Sequence, residues 1–334
     1  MIETSQWVYS DDGTGLFVRR WQVSARPGAG PEEAPAAPKG IVHLVHGMAE
    51  HSLRYRALAE ALTERGFELW AADQRGHGRT ADPSVNDPGR GGLLGHTGDS
   101  NGFFRVVADI GVLNRHIAQS CGIDGSPSST PLFLMGHSWG SFLVQGYIES
   151  FISGGPSLRG CILSGTRGPG GAHIAFGALF LKILAALKGC RRGSKLAHAL
   201  ADGSYNKPFA PNRTPFDWLS RDENEVDRYI ADPLCGQLCS AGFYRDMIGG
   251  LKAVHRAGAM KKIPADLRVY VFCGSADPVG EMGASPTKLV NAYRTNGIED
   301  LQFVIYPDAR HETLNETNKN EVTGALLKWL EQRL

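Results

Sequence analysis

Ser138 stands between two glycines in Gly136-His137-Ser138-Trp139-Gly140. The apolar run 131–135 precedes it, and a stretch over 141–151 follows in which Phe142, Leu143, Tyr147 and Ile148 share one helical face. Strand, sharp turn, helix, with a hydroxyl at the apex, is an arrangement that pushes a serine Oγ out above a sheet. Such a turn strains the serine backbone, and a side chain at either glycine would run into the neighbouring helix or strand. The chemistry on offer is nucleophilic attack. A serine hydroxyl is a poor nucleophile near neutral pH, so the chain must also supply a base, an acid to orient that base, and donors for a developing oxyanion.

Each need has a candidate. Of the eleven histidines, His311 follows the apolar run 301–306 in Tyr306-Pro307-Asp308-Ala309-Arg310-His311, at the edge of a sheet where a base belongs. Asp277 follows another apolar run in Cys273-Gly274-Ser275-Ala276-Asp277-Pro278. Asp-Pro also opens turns with no chemical role, but Ser138, Asp277, His311 is the chain order that a strand–turn–helix nucleophile uses. One oxyanion amide is expected from Trp139, the residue after the nucleophile. The other is expected from Met48, in His46-Gly47-Met48 after the run 41–45. His43 lies inside that run and reads as a core histidine, while His137 should point to the far side of the turn from Ser138. No His-Glu-x-x-His pair exists, and no metal or cofactor is expected. Six cysteines match no disulfide scaffold. Cys161 and Cys273 read as buried apolar residues. Cys235 and Cys239 could share a helix face, but without a second ligand pair they do not read as a zinc site.

The elements that must carry these residues alternate. Residues 7–23 read as a hairpin around Asp11-Asp12-Gly13-Thr14-Gly15, and the Pro-, Ala- and Gly-rich stretch 26–39 as a loop. Short apolar strands are expected at 41–45, 67–72, 132–135, 158–163, 268–273 and 301–306, with helices at 53–65, 101–119, 141–151, 286–294 and 322–334. Such alternation predicts an α/β fold with a mostly parallel sheet covered by helices on both faces. The rhythm breaks between β-like runs, so the expected organisation is a core of 1–165 and 264–334 with an inserted helical cap over 166–263.

Bulk properties are those of an ordinary globular enzyme: 42% apolar and 21% charged residues, with a formal net charge of +1. That balance offers no field to recruit nucleic acid. The N-terminus lacks a signal-peptide pattern and no apolar run is long enough to span a bilayer, so a cytoplasmic protein is expected.

At this point the sequence resembles the α/β-hydrolase superfamily, in the group of monoacylglycerol lipases and bacterial lysophospholipases (serine aminopeptidase S33). His46-Gly47-Met48-Ala49-Glu50-His51-Ser52-Leu53-Arg54-Tyr55 is similar to that group's His-Gly-x-x-Glu-His-x-x-Arg-Tyr. Asp73-Gln74-Arg75-Gly76-His77-Gly78-Arg79-Thr80 resembles its Asp-x-x-Gly-His-Gly-x-Ser, and the Ser138 pentapeptide its Gly-His-Ser-Met-Gly. The segments around Asp277 and His311 resemble its acid and base segments. The resemblance implies an α/β-hydrolase fold, a serine esterase acting through Ser138, His311 and Asp277, and an ester or lipid substrate. It gives Arg75 and His77 a turn role. Glu50 and Arg54 match residues of a polar network, which would bind headgroup hydroxyls or else form an ion pair fixing the oxyanion loop. Trp139 departs from the group's methionine and places an indole beside the nucleophile, where it could narrow the acyl or leaving-group site.

The inserted block bears on substrate. Ile174, Phe176, Leu179, Phe180, Ile183, Leu184 and Leu187 make a broad apolar surface flanked by Lys182, Lys188, Arg191, Arg192 and Lys195. It reads either as a lid in transient contact with a membrane surface or as a helix packed on the core. Two other functions stay open: an aminopeptidase using Glu223, Glu225 and Asp227 to hold an ammonium, and a non-catalytic ligand receptor on the same fold.

Overall fold

In the computed structural model one eight-stranded sheet organises the chain. The structure describes residues 1–25, 35–126, 129–150, 152–170, 172–201 and 203–334. The loop expected at 26–39 therefore lies mostly outside the described residues.

The strands are β1 (Ile2–Tyr9), β2 (Gly15–Gln22), β3 (Gly40–Val45), β4 (Phe67–Ala72), β5 (Leu132–His137), β6 (Leu158–Ser164), β7 (Val269–Gly274) and β8 (Leu301–Tyr306). Their order is β1-β2-β4-β3-β5-β6-β7-β8. The hairpin β1–β2 joins antiparallel to β4, and the six strands from β4 to β8 run parallel. Every residue of β3, β5 and β7 is buried, which is why these strands read as continuous apolar runs rather than alternating ones.

Helices cover both faces. On one, α1 (Arg56–Glu64) and α10 (Lys319–Glu331) bring Leu58, Leu62, Trp329 and Leu330 onto the sheet. On the other lie α2 (Gly102–Cys121), α3 (Trp139–Ser150) and α9 (Ala284–Thr295), with Ile110, Leu143 and Leu289 in one core. Between β6 and β7 the chain leaves the sheet for α4 (Ala172–Lys188), α5 (Lys195–Ala201), α6 (Glu223–Ala231), α7 (Ala241–Val254) and α8 (Ala257–Met260). Helix α7 anchors this block: a Cβ on Gly250 would lie 2.1 Å from the Phe103 ring of α2, so only glycine allows the approach. No helix among the described residues is long and apolar enough to cross a membrane.

Strand order reverses at β3, whose chain successors go to opposite sides: β4 to one, β5 to the other. Loops leaving neighbouring strands there diverge and open a crevice at the carboxyl edge. The loop after β3 carries Gly47, Met48 and Glu50, and the loop after β5 carries Ser138.

Candidate active site

Ser138 has φ 51°, a left-handed conformation that a residue with a side chain rarely adopts. The turn is held from both sides. The Ser138 N–H donates to the Ser164 carbonyl of β6 at 2.9 Å. A Cβ on Gly136 would lie 2.5 Å from the Gly140 carbonyl oxygen, and one on Gly140 would lie 2.0 Å from that of Val45. Both glycines are thus required by backbone-to-backbone contact, as their spacing predicted.

His311 and Asp277 come together from the loops after β8 and β7. His311 Nδ1 lies 2.9 Å from Asp277 Oδ1, and both side chains are buried. A carboxylate only accepts, so Nδ1 carries the proton and Nε2 presents its lone pair. Burial works against the imidazolium, but the Asp277 charge and hydrogen bond outweigh it and raise the His311 pKa above its usual value. Ser138 and His311 face one cavity of about 360 Å³.

The Glu50–Arg54 pair is part of a larger network. Arg54 Nη1 donates to Glu50 Oε2 and Glu312 Oε1, and Nη2 to Glu312 Oε2, each at 2.7 Å. Glu50 Oε1 accepts from the Gly47 N–H and from Tyr55 Oη. Burial pushes the Glu50 pKa up, but Arg54 and neighbouring groups bring it down to about 2. Glu312 is likewise lowered by Arg54 against its own burial. Both carboxylates line the cavity with Ser138, while Arg54 sits behind them as their shared counter-ion. Glu50 thus both pairs with Arg54 and lines the cavity, whereas Arg54 pairs with the carboxylates without lining it.

A second cavity of about 520 Å³ lies on the other side of Ser138, walled by apolar residues that include Phe142, Leu181, Met247, Leu251 and Val279. Met48, Ser138 and Trp218 line both cavities. Trp139 lines this cavity, but it is only 1% exposed. It packs edge-on to Phe103 at 5.4 Å and donates from Nε1 to Gln74 Oε1 at 2.8 Å. It is a fixed side chain rather than one projecting over the nucleophile.

Several readings are corrected. His137 does not point away from Ser138: it lines the same cavity and its ring lies 4.9 Å from that of His311. Strand alternation fails there because the left-handed residue turns the chain. Burial, then His311, lowers the His137 pKa to about 4, so it is neutral. Cys235 and Cys239 share no helix, since both lie between α6 and α7. Glu223 and Asp227 stand on the solvent face of α6, where Arg213 lies 2.7 Å from Asp227. Glu225 pairs with Arg228 and Lys319. None of the three lines either cavity. Arg191, one of the basic residues flanking the apolar face, pairs with Asp99 at 2.7 Å. His43, by contrast, is a core histidine bonded to Asn114 at 2.8 Å. Arg75 and His77 tie a turn, with Arg75 bridging Asp12 and Asp109.

Trp218, Tyr229, Glu312 and Gln74 escaped the sequence reading. Trp218 lies in the loop after α5, and its carbonyl accepts from the His311 N–H at 3.4 Å. Its ring sits 5.1 Å from that of His311. No local pattern marks it. Glu312 was within reach, being adjacent to the candidate base.

The profile described as serine aminopeptidase, S33, matches residues 36–318. The chain is 26% identical over 309 residues to a monoacylglycerol lipase of Mycolicibacterium smegmatis, covering 89% of this chain and 90% of that protein. It is 27% identical over 335 residues to the monoglyceride lipase of Mus musculus, covering 97% and 89%. Among solved structures, a thermostable carboxyl esterase from Bacillus coagulans in complex with glycerol superposes with a TM-score of 0.84 at 25% identity, covering 99% of each chain. A soluble variant of monoglyceride lipase from Saccharomyces cerevisiae in complex with a substrate analog superposes at 0.71 with 21% identity, covering 100% of this chain and 96% of that one.

Proposed function

This chain belongs to the serine aminopeptidase S33 family, has the α/β-hydrolase fold and hydrolyses carboxylic esters, and from that premise we propose that it is a monoacylglycerol-lipase-like serine esterase. Ser138 Oγ attacks the ester carbonyl carbon while His311 Nε2 takes its proton. Asp277 holds the imidazole and stabilises its charge. The tetrahedral oxyanion is held by the backbone N–H groups of Met48 and Trp139. Collapse expels the alcohol, which receives the proton from His311. Water, deprotonated by the same imidazole, then releases the acid from Ser138.

One observation carries the reading: Ser138 lies on the wall shared by two cavities, a more polar one that holds Glu50, Glu312, His137 and His311 among apolar residues, and one that is more strongly apolar. The polar one suits an alcohol and the apolar one an acyl chain. The alcohol side is also electrostatically selective. Glu50 and Glu312 share one guanidinium, and the neighbouring His137 is neutral, so the chamber carries an excess of negative charge. A neutral glycerol fits there, whereas a phosphate headgroup is repelled. This favours monoacylglycerols over lysophospholipids.

We read the 166–263 block as a cap whose outer face meets the lipid surface. Leu179, Ile183 and Leu187 are exposed on α4, and the exposed Phe180, Leu196 and Leu200 rim the apolar cavity. The side chains of Ile174, Phe176 and Lys188 lie outside the described residues.

The test is a substrate panel of monoacylglycerols, lysophosphatidylcholine, monoacylglycerol phosphate and prolyl amides, run on wild type, Ser138→Ala and Glu312→Gln. Monoacylglycerol turnover that vanishes in Ser138→Ala is expected. Glu312→Gln should narrow the gap to the anionic substrate by about tenfold, the effect of one charge at intermediate distance. Faster release of proline than of fatty acid would overturn the esterase reading in favour of a peptidase. Full turnover by Ser138→Ala would remove the nucleophile.

A further inference from the structure

We infer that the Trp139 side chain positions the other half of the oxyanion hole, through a relay running Trp139–Gln74–His46–Gly47. The inference rests on the reading of Ser138 as nucleophile and of the Met48 N–H as an oxyanion donor.

Each link is a hydrogen bond of good length. Trp139 Nε1–H donates to Gln74 Oε1 at 2.8 Å. That acceptor use fixes the Gln74 amide, whose Nε2–H donates to the His46 carbonyl at 2.6 Å. The Gln74 backbone N–H donates to His46 Nε2 at 3.0 Å, so this nitrogen is the unprotonated one. His46 Nδ1 then carries the proton and donates to the Gly47 carbonyl at 2.8 Å. Burial lowers the His46 pKa, in keeping with this neutral tautomer.

The last bond fixes the orientation of the reacting dipole. The Gly47 carbonyl and the Met48 N–H belong to one planar trans peptide, so they point in opposite directions. Gripping the carbonyl from the His46 side holds the N–H away from it. A glycine peptide flips easily when neither end is held. Gly47 is further clamped by its own N–H to Glu50 Oε1. A Cβ on Gly47 would sit 3.3 Å from Ser138 Cβ, so the aimed peptide lies directly against the nucleophile.

The relay explains the most conspicuous departure of this sequence. A methionine after the nucleophile has no side-chain N–H to donate. With Trp139 one residue serves both halves: its backbone amide is one oxyanion donor and its indole orients the other. The indole has nowhere else to go, since Phe103 and Phe243 hold its ring at 5.4 and 5.0 Å.

Trp139→Phe keeps an aromatic ring and deletes the donor, and Gln74→Met, on a different element, removes the side-chain link from Trp139 to the His46 carbonyl while leaving the Gln74 backbone N–H on His46 Nε2. Both are assayed with a soluble 4-nitrophenyl ester and with a trifluoromethyl ketone, which forms a hemiketal oxyanion on a serine. Loss of a whole oxyanion donor costs about 10²–10³-fold in kcat, so a donor left in place but unaimed should cost roughly 10-fold or more. The expected result is a fall in kcat with KM unchanged in each variant, a matching loss of ketone affinity, and a double variant no worse than Gln74→Met alone. A purely structural role would lower melting temperature without the parallel loss of ketone affinity. Values of kcat and ketone affinity within twofold of wild type in either folded variant, or strictly additive effects in the pair, would overturn the relay. Fluorophosphonate labelling of Ser138→Ala separates the premises: labelling equal to wild type refutes the nucleophile itself, whereas lost labelling with unaffected Trp139→Phe and Gln74→Met refutes the relay alone.

Discussion

The two cavities that meet at Ser138 are built by different parts of the chain. The smaller takes its charge from strand ends: Glu50 after β3, His137 at the end of β5, His311 and Glu312 after β8. Almost every polar atom named there has a partner of fixed geometry. The larger is walled mainly by side chains of α3, α4, α5 and α7, most of them apolar, which can engage a ligand through dispersion and buried area. The difference teaches where function is brittle. Chemistry sits where strands converge and one misplaced dipole is felt. On the proposed function, selection of the acyl chain would sit in an inserted block, where apolar residues of similar size replace each other at little cost.

The sharpest way to break the contrast is Asp277→Asn on the polar side. The amide neither stabilises the His311 imidazolium nor enforces its tautomer, and kcat on a soluble ester is expected to fall about 10⁴-fold. The pH profile carries the electrostatic part. Because Asp277 raises the His311 pKa above 6.5 despite burial, wild-type kcat/KM should climb with pH through an apparent value above 6.5, as the imidazole becomes neutral. In Asp277→Asn the residual rate should climb at lower pH. A profile that does not move would separate Asp277 from the base.

Arg54→Met tests the same side through stability. It leaves Glu50 and Glu312 buried and facing one another without a counter-ion. Removing one partner of a buried ion pair typically costs about 3–5 kcal/mol. Urea unfolding should register that loss, and Glu312→Gln in the same chain should recover part of it. A loss below 1 kcal/mol would mean that the carboxylates take up protons instead, contrary to the lowered Glu50 pKa of about 2.

How much of this was legible in the sequence follows from the same contrast. The strands β4 and β8 fall on the expected residues: β4 is a buried parallel strand and reads as a short apolar run with clear ends, whereas β8 is an edge strand with only Tyr306 buried and is marked by its Phe, Val, Ile and Tyr. The meeting of Ser138, Asp277 and His311 at one edge was legible because each follows such a run. Gln74 and Glu312 were visible as residues but not as partners, since their bonds join segments far apart in the chain. Trp218 was not legible at all: only the fold of the inserted block brings it over His311. His137 was misplaced because the alternation rule stops at a left-handed residue. Polar side chains in the inserted block, such as the α6 carboxylates, carried no signal telling cavity from solvent.

A smaller effect comes from the far end of α3, away from both cavities. Glu149 is buried, its Oε1 has no partner among the described residues, and burial raises its pKa to about 9, with Lys262 opposing. The folded state therefore holds this proton more tightly than the unfolded chain does. Its contribution is fully present below the ordinary value of 4.5 and is lost as pH rises from there towards 9. At pH 7.5 the loss is of the order of 2 kcal/mol, allowing for relaxation around the site. Glu149→Gln should thus raise the melting temperature at pH 8 more than at pH 5, with ester turnover unchanged. Equal shifts at both pH values would show that Glu149 ionises in the fold as freely as in water.

The mildest prediction concerns the outer face of α4, where the contrast between the two cavities can be sharpened without touching either wall. Ile183 is 51% and Leu187 80% exposed, and neither lines the apolar cavity. Ile183→Gln with Leu187→Gln removes exposed apolar area, so it should leave folding stability within about 0.5 kcal/mol. Turnover of a soluble short-chain ester should stay as in wild type. If the cap draws substrate from a lipid surface, co-sedimentation with phosphatidylcholine–phosphatidylglycerol vesicles and hydrolysis of vesicle-borne monoacylglycerol should both fall several-fold, since each side chain that withdraws about 20 Å² of apolar area into the interface contributes roughly 0.5 kcal/mol. The loss should appear in the apparent KM for vesicles and not in kcat. Equal vesicle activity in the double variant would leave the face as exposed apolar surface without that role. A fall in turnover of the soluble ester would mean that α4 shapes the catalytic edge as well, and the division of labour between strand ends and inserted block would give way.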